Sequence, residues 1–189
     1  MQINRKNTNE ILTIVMILKK KYGTWNPFYI AKRIGIEYTF VTFNENLLAF
    51  SEKNNDSDFG RIYISQNLCS YAHMLLGAHE LGHLLMHECG SNLFNEDIAP
   101  EQEFEANYFM SLLVPKFFNT SYKNFETVEH FNKWVNNMIE FIIKNGQKEY
   151  PEELKQTKSD IFLAKYPKGN KLIRFDYLSG NIVEIHPLL

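Results

Sequence analysis

A chain of 189 residues with 44% hydrophobic content can enclose one proper core, so a single domain with a small appendage is the starting expectation. A formal net charge of -2 and a pI near 6.3 exclude a broadly basic surface of the kind that neutralises phosphates, and direct nucleic-acid binding is not expected. The two cysteines, Cys69 and Cys89, lack CxxC spacing and are too few for a disulfide framework, which fits a reducing compartment.

Near the N-terminus, Arg5 and Lys6 precede the apolar run ILTIVMIL at Ile11 to Leu18. Lys19 to Lys21 follow it where a secretion signal would need small residues, and the run is far short of the roughly 20 residues that span a bilayer. A soluble, cytoplasmic protein without membrane contact is expected. Asn7 with Glu10 three residues later has the form of a helix N-cap, and Gly23 that of a stop, predicting a helix of about 15 residues. Asn26 and Pro27 read as the cap and first position of a second, short helix closed by Gly35. IEYTFVTF at Ile36 to Phe43, LLAFS, and GRIYIS at Gly60 to Ser65 are then rich in β-branched and aromatic residues. They are separated by the turn-rich NEN and KNNDSD, which predicts a small antiparallel sheet.

From about Ser70 to Glu88 there is neither proline nor turn cluster, so this stretch reads as one helix. Pro100 opens another, EQEFEANYFMSLLV, which Pro115 closes, and a further helix is predicted from about Thr127 to Lys144. Gln147 to Ser159 is polar and reads as a linker or exposed loop. The runs DIFLAKYP, KLIRFDY and NIVEIH, separated by KGN and SGN, predict a C-terminal β-meander.

The chemistry is concentrated in GAHELGHLLMH, Gly77 to His87. Residues four apart share a helix face, so His79 and His83 can aim both imidazoles at one metal ion. Glu80, rotated by about 100°, can reach a water there without ligating the metal itself. This is the HExxH arrangement, in which two neutral imidazoles hold Zn²⁺ and the carboxylate takes a proton from a water made more acidic by the metal. The apolar neighbours Met74, Leu75, Leu76, Leu81, Leu84, Leu85 and Met86 make the helix a buried one, where two unpartnered histidines and a glutamate would be costly. Gly77 and Gly82 each weaken a helix by roughly 1 kcal/mol, which points to elements packed closely against them.

A catalytic zinc takes a third protein ligand and keeps one position open. The metzincin pattern HExxHxxGxxH is disfavoured, since Met86 and Cys89 occupy its last two positions. His87 lies too far along the helix to join His79 and His83 on one ion, and is read as lining or supporting the site. On the next helix, Ala106, Phe109, Met110, Leu113 and Val114 form an apolar arc that takes in Glu103 but largely leaves out Glu101 and Glu105. Glu103 is therefore the expected third ligand, with Glu105 as the alternative. Asn107, one turn on, could hydrogen-bond a ligand histidine.

These paired motifs resemble the ImmA/IrrE family of zinc metallopeptidases, in which an AHELGHxxxH helix is followed by one of the type ExEANxFAxxLLMP. Here they read AHELGHLLMH and EFEANYFMSLLVP. The resemblance extends back through GRIYIS to NPFYIAKRIGIEY and covers about Asn26 to Pro115, with Met110 in place of the usual alanine. It implies an α+β fold with a zincin-like metallopeptidase core at 1–118, the small antiparallel sheet packed on the HExxH helix; beyond it the chain departs from the family, and its own pattern predicts a C-terminal helix and β-meander at 119–189 packed on the core. Many members instead continue into a helix-turn-helix-like region. The resemblance further implies a gluzincin-like site with His79, His83 and Glu103 on Zn²⁺ and Glu80 as general base. The implied substrate is a regulatory protein, such as a transcriptional repressor of a phage or mobile element. The rival is a non-catalytic regulator that keeps the zinc fold and binds a repressor or toxin-like partner, against which the intact Glu80 speaks. His73, His87, Tyr108 and His130 are the candidates for the hydrogen-bond donor that the tetrahedral intermediate needs.

Overall fold

The computed structural model describes residues 5–43, 47–53, 60–87, 100–115, 118 and 122–145, together with the backbone of three strands at 161–165, 171–176 and 182–187. Helix α1, Arg5–Tyr22, begins two residues before Asn7, which is thus not its cap. It ends at Gly23, whose φ of 67° lies in the left-handed region that a side chain resists, and whose N–H closes on the Lys19 carbonyl at 2.9 Å. Ile11, Val15 and Leu18 form its buried stripe. Helix α2, Pro27–Arg33, starts as its sequence dictates: the Asn26 side-chain oxygen accepts from the N–H groups of Phe28 and Tyr29 at 3.0 and 3.3 Å.

Strands β1 (Glu37–Val41), β2 (Ala49–Lys53) and β3 (Gly60–Ser65) form one sheet in the order β1-β3-β2. The expected antiparallel sheet is corrected here to a mixed one, because β2 pairs antiparallel with β3 while β1 pairs parallel with it. β3 takes the centre because its alternation puts Gly60, Ile62 and Ile64 fully inward, the strongest single-face pattern of the three strands.

Helix α3, Ser70–Met86, packs its apolar surface on this sheet and on α2. Helix α4, Pro100–Leu113, crosses it, and α5, Val128–Asn145, covers α4 through Phe131, Val135 and Ile139, with the Phe131 ring edge-on to Phe104 at 5.3 Å. Both helical glycines mark close approaches. A Cβ on Gly77 would stand 2.7 Å from the Phe28 ring, and one on Gly82 would stand 3.3 Å from Cα of Ala106 in α4.

Strands β4 (Ile161–Lys165), β5 (Lys171–Asp176) and β6 (Ile182–Pro187) pair antiparallel in chain order. The NEN turn, the KNNDSD turn beyond Lys53, Glu88, Cys89 and the polar stretch at 147–159 lie outside the described residues. Among the described residues no helix is long and apolar enough to cross a membrane.

Candidate metal centre

The closeness of α3 to α4 at Gly82 decides what can face the two histidines. With no Cβ at that point, Phe109 and the backbone of Ala106 lie directly against α3, and the preceding turn of α4 brings Glu103 over His79 and His83. The Nε2 atoms of the two imidazoles stand 3.0 Å apart. Glu103 places Oε1 3.2 Å from His83 Nε2 and Oε2 3.6 Å from His79 Nε2. Glu105, the alternative third ligand, faces away from this cluster: its Oε2 lies 3.0 Å from Nε2 of His87.

The far side of each imidazole fixes what its near side offers. Asn132 Nδ2 donates to the Pro100 carbonyl at 3.0 Å, which leaves its Oδ1 to accept from Asn107 Nδ2 at 3.0 Å. That orients the Asn107 oxygen toward His79 Nδ1, also at 3.0 Å, so Nδ1 carries the proton and Nε2 presents a lone pair. His83 Nδ1 in turn lies 3.1 Å from Nδ1 of His87. His87 is not on the helix, as the sequence reading had it. It caps α3 in an extended conformation, with its N–H on the His83 carbonyl, and this turns its ring back toward His83.

Electron-rich groups thus converge from three residues, and they need a positive centre among them. A proton on His83 can supply it. Burial works against that proton, but the Glu103 and Glu80 carboxylates outweigh burial and hold the His83 pKa above its usual value. His79 gives way in the other direction: burial, with His83 adding, pushes it down to about 4. Burial would raise Glu103, yet its bond to His83 and the neighbouring imidazoles hold it below the usual carboxylate range. A divalent cation satisfies all three residues at once, and two imidazoles with a carboxylate are a common donor set for one.

Glu80 sits on the same helix turn, buried, with its Oε2 accepting from the Ser51 hydroxyl at 2.7 Å. Burial pushes its carboxyl up to about 7, against the pull of His83 and Ser51. Of the remaining histidines and Tyr108, His73 is buried and bonded to the Ser65 carbonyl at 2.9 Å, Tyr108 stacks on Phe104, and His130 is exposed on α5. Ser51, Asn132 and the contact of Asn7 with Glu105 were missed from sequence. Ser51 comes from a strand with no motif, and Asn132 from a helix beyond the Asn26 to Pro115 stretch that carries the resemblance.

A helix bearing two histidines and a glutamate, faced by a second helix bearing a carboxylate and backed by a small mixed sheet, defines an α+β protein of the metallopeptidase type. The model of the Peptidase M78 family, described as the IrrE N-terminal-like domain, matches residues 31–129, more than half of the chain. The chain belongs to this ImmA/IrrE family. It is also 30% identical over 128 residues to the "Uncharacterized immunity region protein 2" of Bacillus phage phi105, which covers 65% of this chain and 80% of that protein. No solved structure matches.

Proposed function

We propose that this chain is a zinc-dependent endopeptidase that cleaves a regulatory protein, with His79, His83 and Glu103 as the zinc ligands and Glu80 as the general base. One observation carries the reading: two imidazole nitrogens and a carboxylate converge beside a buried glutamate of raised pKa. A tetrahedral ion with bonds of about 2.0–2.1 Å sets its ligand atoms about 3.3 Å apart. The two imidazole nitrogens stand 3.0 Å apart, and the two Glu103 oxygens lie 3.2 Å from His83 Nε2 and 3.6 Å from His79 Nε2, near that value. Nitrogen donors favour zinc over magnesium or calcium, which take oxygen ligands. Three protein ligands leave one position open, as hydrolytic chemistry requires.

Bound there, zinc would acidify a water and polarise the scissile carbonyl. Glu80 accepts the proton from that water and delivers it to the leaving amine. Burial raises this carboxyl, and a zinc bound beside it would draw it back down, so that Glu80 meets the water as a carboxylate able to take its proton. The Ser51 hydroxyl holds one carboxylate oxygen and leaves the other for the water. Ser51 lies on β2, an edge strand among the described residues, so an extended substrate segment added along β2 would pass beside Glu80.

The likeness to a phage immunity region protein supports a regulatory substrate, a repressor of a phage or mobile element, met in the cytoplasm. The test is elemental analysis of purified wild type, Glu80→Gln, His83→Ala and Glu103→Gln, followed by incubation with candidate repressors. Wild type and Glu80→Gln should each hold about one zinc, the ligand variants should lose it, and only wild type should cleave. A folded wild type that takes up no divalent metal when zinc is supplied would refute the reading and favour the non-catalytic regulator.

A further inference from the structure

His83 is supported from behind by groups that the peptidase chemistry itself does not use. Asn7 on α1 donates through Nδ2 to Oε1 of Glu105 on α4. The other oxygen of Glu105 accepts from His87 Nε2 at 3.0 Å, and His87 Nδ1 meets His83 Nδ1 at 3.1 Å. An ionised carboxylate only accepts, so His87 must donate from Nε2. Its Nδ1 is then an acceptor, and the proton on that contact belongs to His83. In the neutral imidazole that a metal requires, the lone pair of His83 is thereby placed on Nε2, toward His79 and Glu103. The side chains of His87 and Glu105 are 8% and 18% exposed, so the chain is poorly screened by water.

The same helix is held to α4 a second time, where Lys19 Nζ donates to the Leu112 carbonyl at 2.9 Å. α1 therefore lies along α4 with polar clamps near both ends, and one of these clamps leads to the metal centre.

We propose that Asn7, Glu105 and His87 form a positioning relay that sets the tautomer and ring orientation of His83, making α1, which lies outside the segment matched by the family model, a working part of the metal site. The inference rests on the zinc reading above. It also gives Glu105 a task of its own, distinct from ligation.

The test measures zinc affinity of the full chain by competition with a chromophoric chelator, alongside thermal unfolding of the metal-free protein and ¹H–¹⁵N spectra of the histidine rings. His87→Phe and Glu105→Gln should weaken zinc binding about 10- to 100-fold, the usual effect of removing a partner behind a ligand. Asn7→Leu, a milder change on a surface helix, should weaken it about 3- to 10-fold, and this effect should vanish in the His87→Phe background, where the relay is already cut. His87→Gln, whose amide oxygen can accept from His83, should recover part of the loss. The His83 Nδ1–H signal of the zinc-loaded protein should shift in Asn7→Leu. A residue that only supports the fold would lower the unfolding temperature without moving affinity or this signal.

Unchanged zinc affinity in His87→Phe and Glu105→Gln, with His83→Ala still losing the metal, would overturn the relay and leave the peptidase reading standing. Abolished binding in Glu105→Gln with normal binding in Glu103→Gln would overturn it too, by making Glu105 a ligand. A wild type that binds no zinc removes both.

Discussion

Gly82→Ala sets two effects of known size against each other. An alanine inside α3 gains roughly 1 kcal/mol of helix propensity over glycine. Against that, the new Cβ would lie 3.1 Å from Cδ1 and 3.3 Å from Cβ of Phe109, and 3.3 Å from Cα of Ala106. Ordinary contact needs a few tenths of an ångström more at each. Phe109 is fully buried and Ala106 offers backbone, so neither can yield by a rotamer change, and α4 itself must move. Overpacking of this kind costs about 1–3 kcal/mol, which leaves a net destabilisation of about 1 kcal/mol, or about 2–4 °C in Tm for a chain of this length. Because α4 carries Glu103, zinc affinity should fall as well, by about tenfold for a ligand displaced by a few tenths of an ångström. Urea unfolding of the metal-free protein and chelator competition read the two effects separately. A variant more stable by the full helix-propensity gain, with zinc affinity unchanged, would refute the claim that the α3–α4 contact at this glycine sets the site.

Gly23→Ala is the contrasting case: no atom lies within 4 Å of the added Cβ, but the φ of 67° costs about 1–2 kcal/mol, so stability should fall in denaturant titration while zinc affinity holds. Asn107→Ala removes the acceptor behind His79 and the donor to Asn132 Oδ1, while Asn132 Nδ2 keeps the Pro100 carbonyl. Zinc affinity should drop about 10- to 100-fold and stability by about 1–3 kcal/mol, and an unchanged affinity by chelator competition would separate Asn107 from the site. His73 is buried, its Nδ1 has no hydrogen-bond partner among the described residues, and burial lowers its pKa below 6.5 despite the bond to Ser65. The unfolded chain therefore binds this proton more readily, so the His73 contribution to stability is fully present above about pH 6.5 and is lost on acidification below that value, by at most about 1.4 kcal/mol per pH unit. The slope between pH 6.5 and 5 in urea titrations should be shallower in His73→Gln, and an equal slope would show that His73 is not the group responsible.

The parts of this molecule that could be read from sequence are those governed by local periodicity. The Asn26–Pro27 start of α2, the buried stripe of α4, and the common face of His79 and His83 follow from backbone geometry within one or two turns. What could not be read depends on chain segments meeting from a distance. The parallel pairing of β1 with β3 has no local signature, since the side-chain alternation of β1 is the same whichever way its neighbour runs. Asn7 has the composition of a cap, yet its amide serves a carboxylate 98 positions away. Ser51 ends the run LLAFS, which carries no chemical motif, and only the register of β2 on β3, together with the packing of α3 on the sheet, brings its hydroxyl to Glu80.

The stretch Glu103 to Asn107 shows why the placement of α4 matters more to this site than any single contact. Within five residues it supplies a carboxylate to the histidine pair, a second carboxylate to His87 and Asn7, and an amide to His79. Each successive residue of a helix is displaced by 1.5 Å and rotated by about 100°. A slip of one position along α3 would therefore replace Glu103 with an apolar or exposed neighbour and misplace all three groups together. That slip is opposed by burial, since Phe104, Phe109 and Met110 would leave the core, at roughly 1.5–3 kcal/mol for each side chain. The aromatic residues that read as ordinary core are thus what keeps the polar ones in register, and the site can tolerate small errors at its edge better than any change that lets α4 turn.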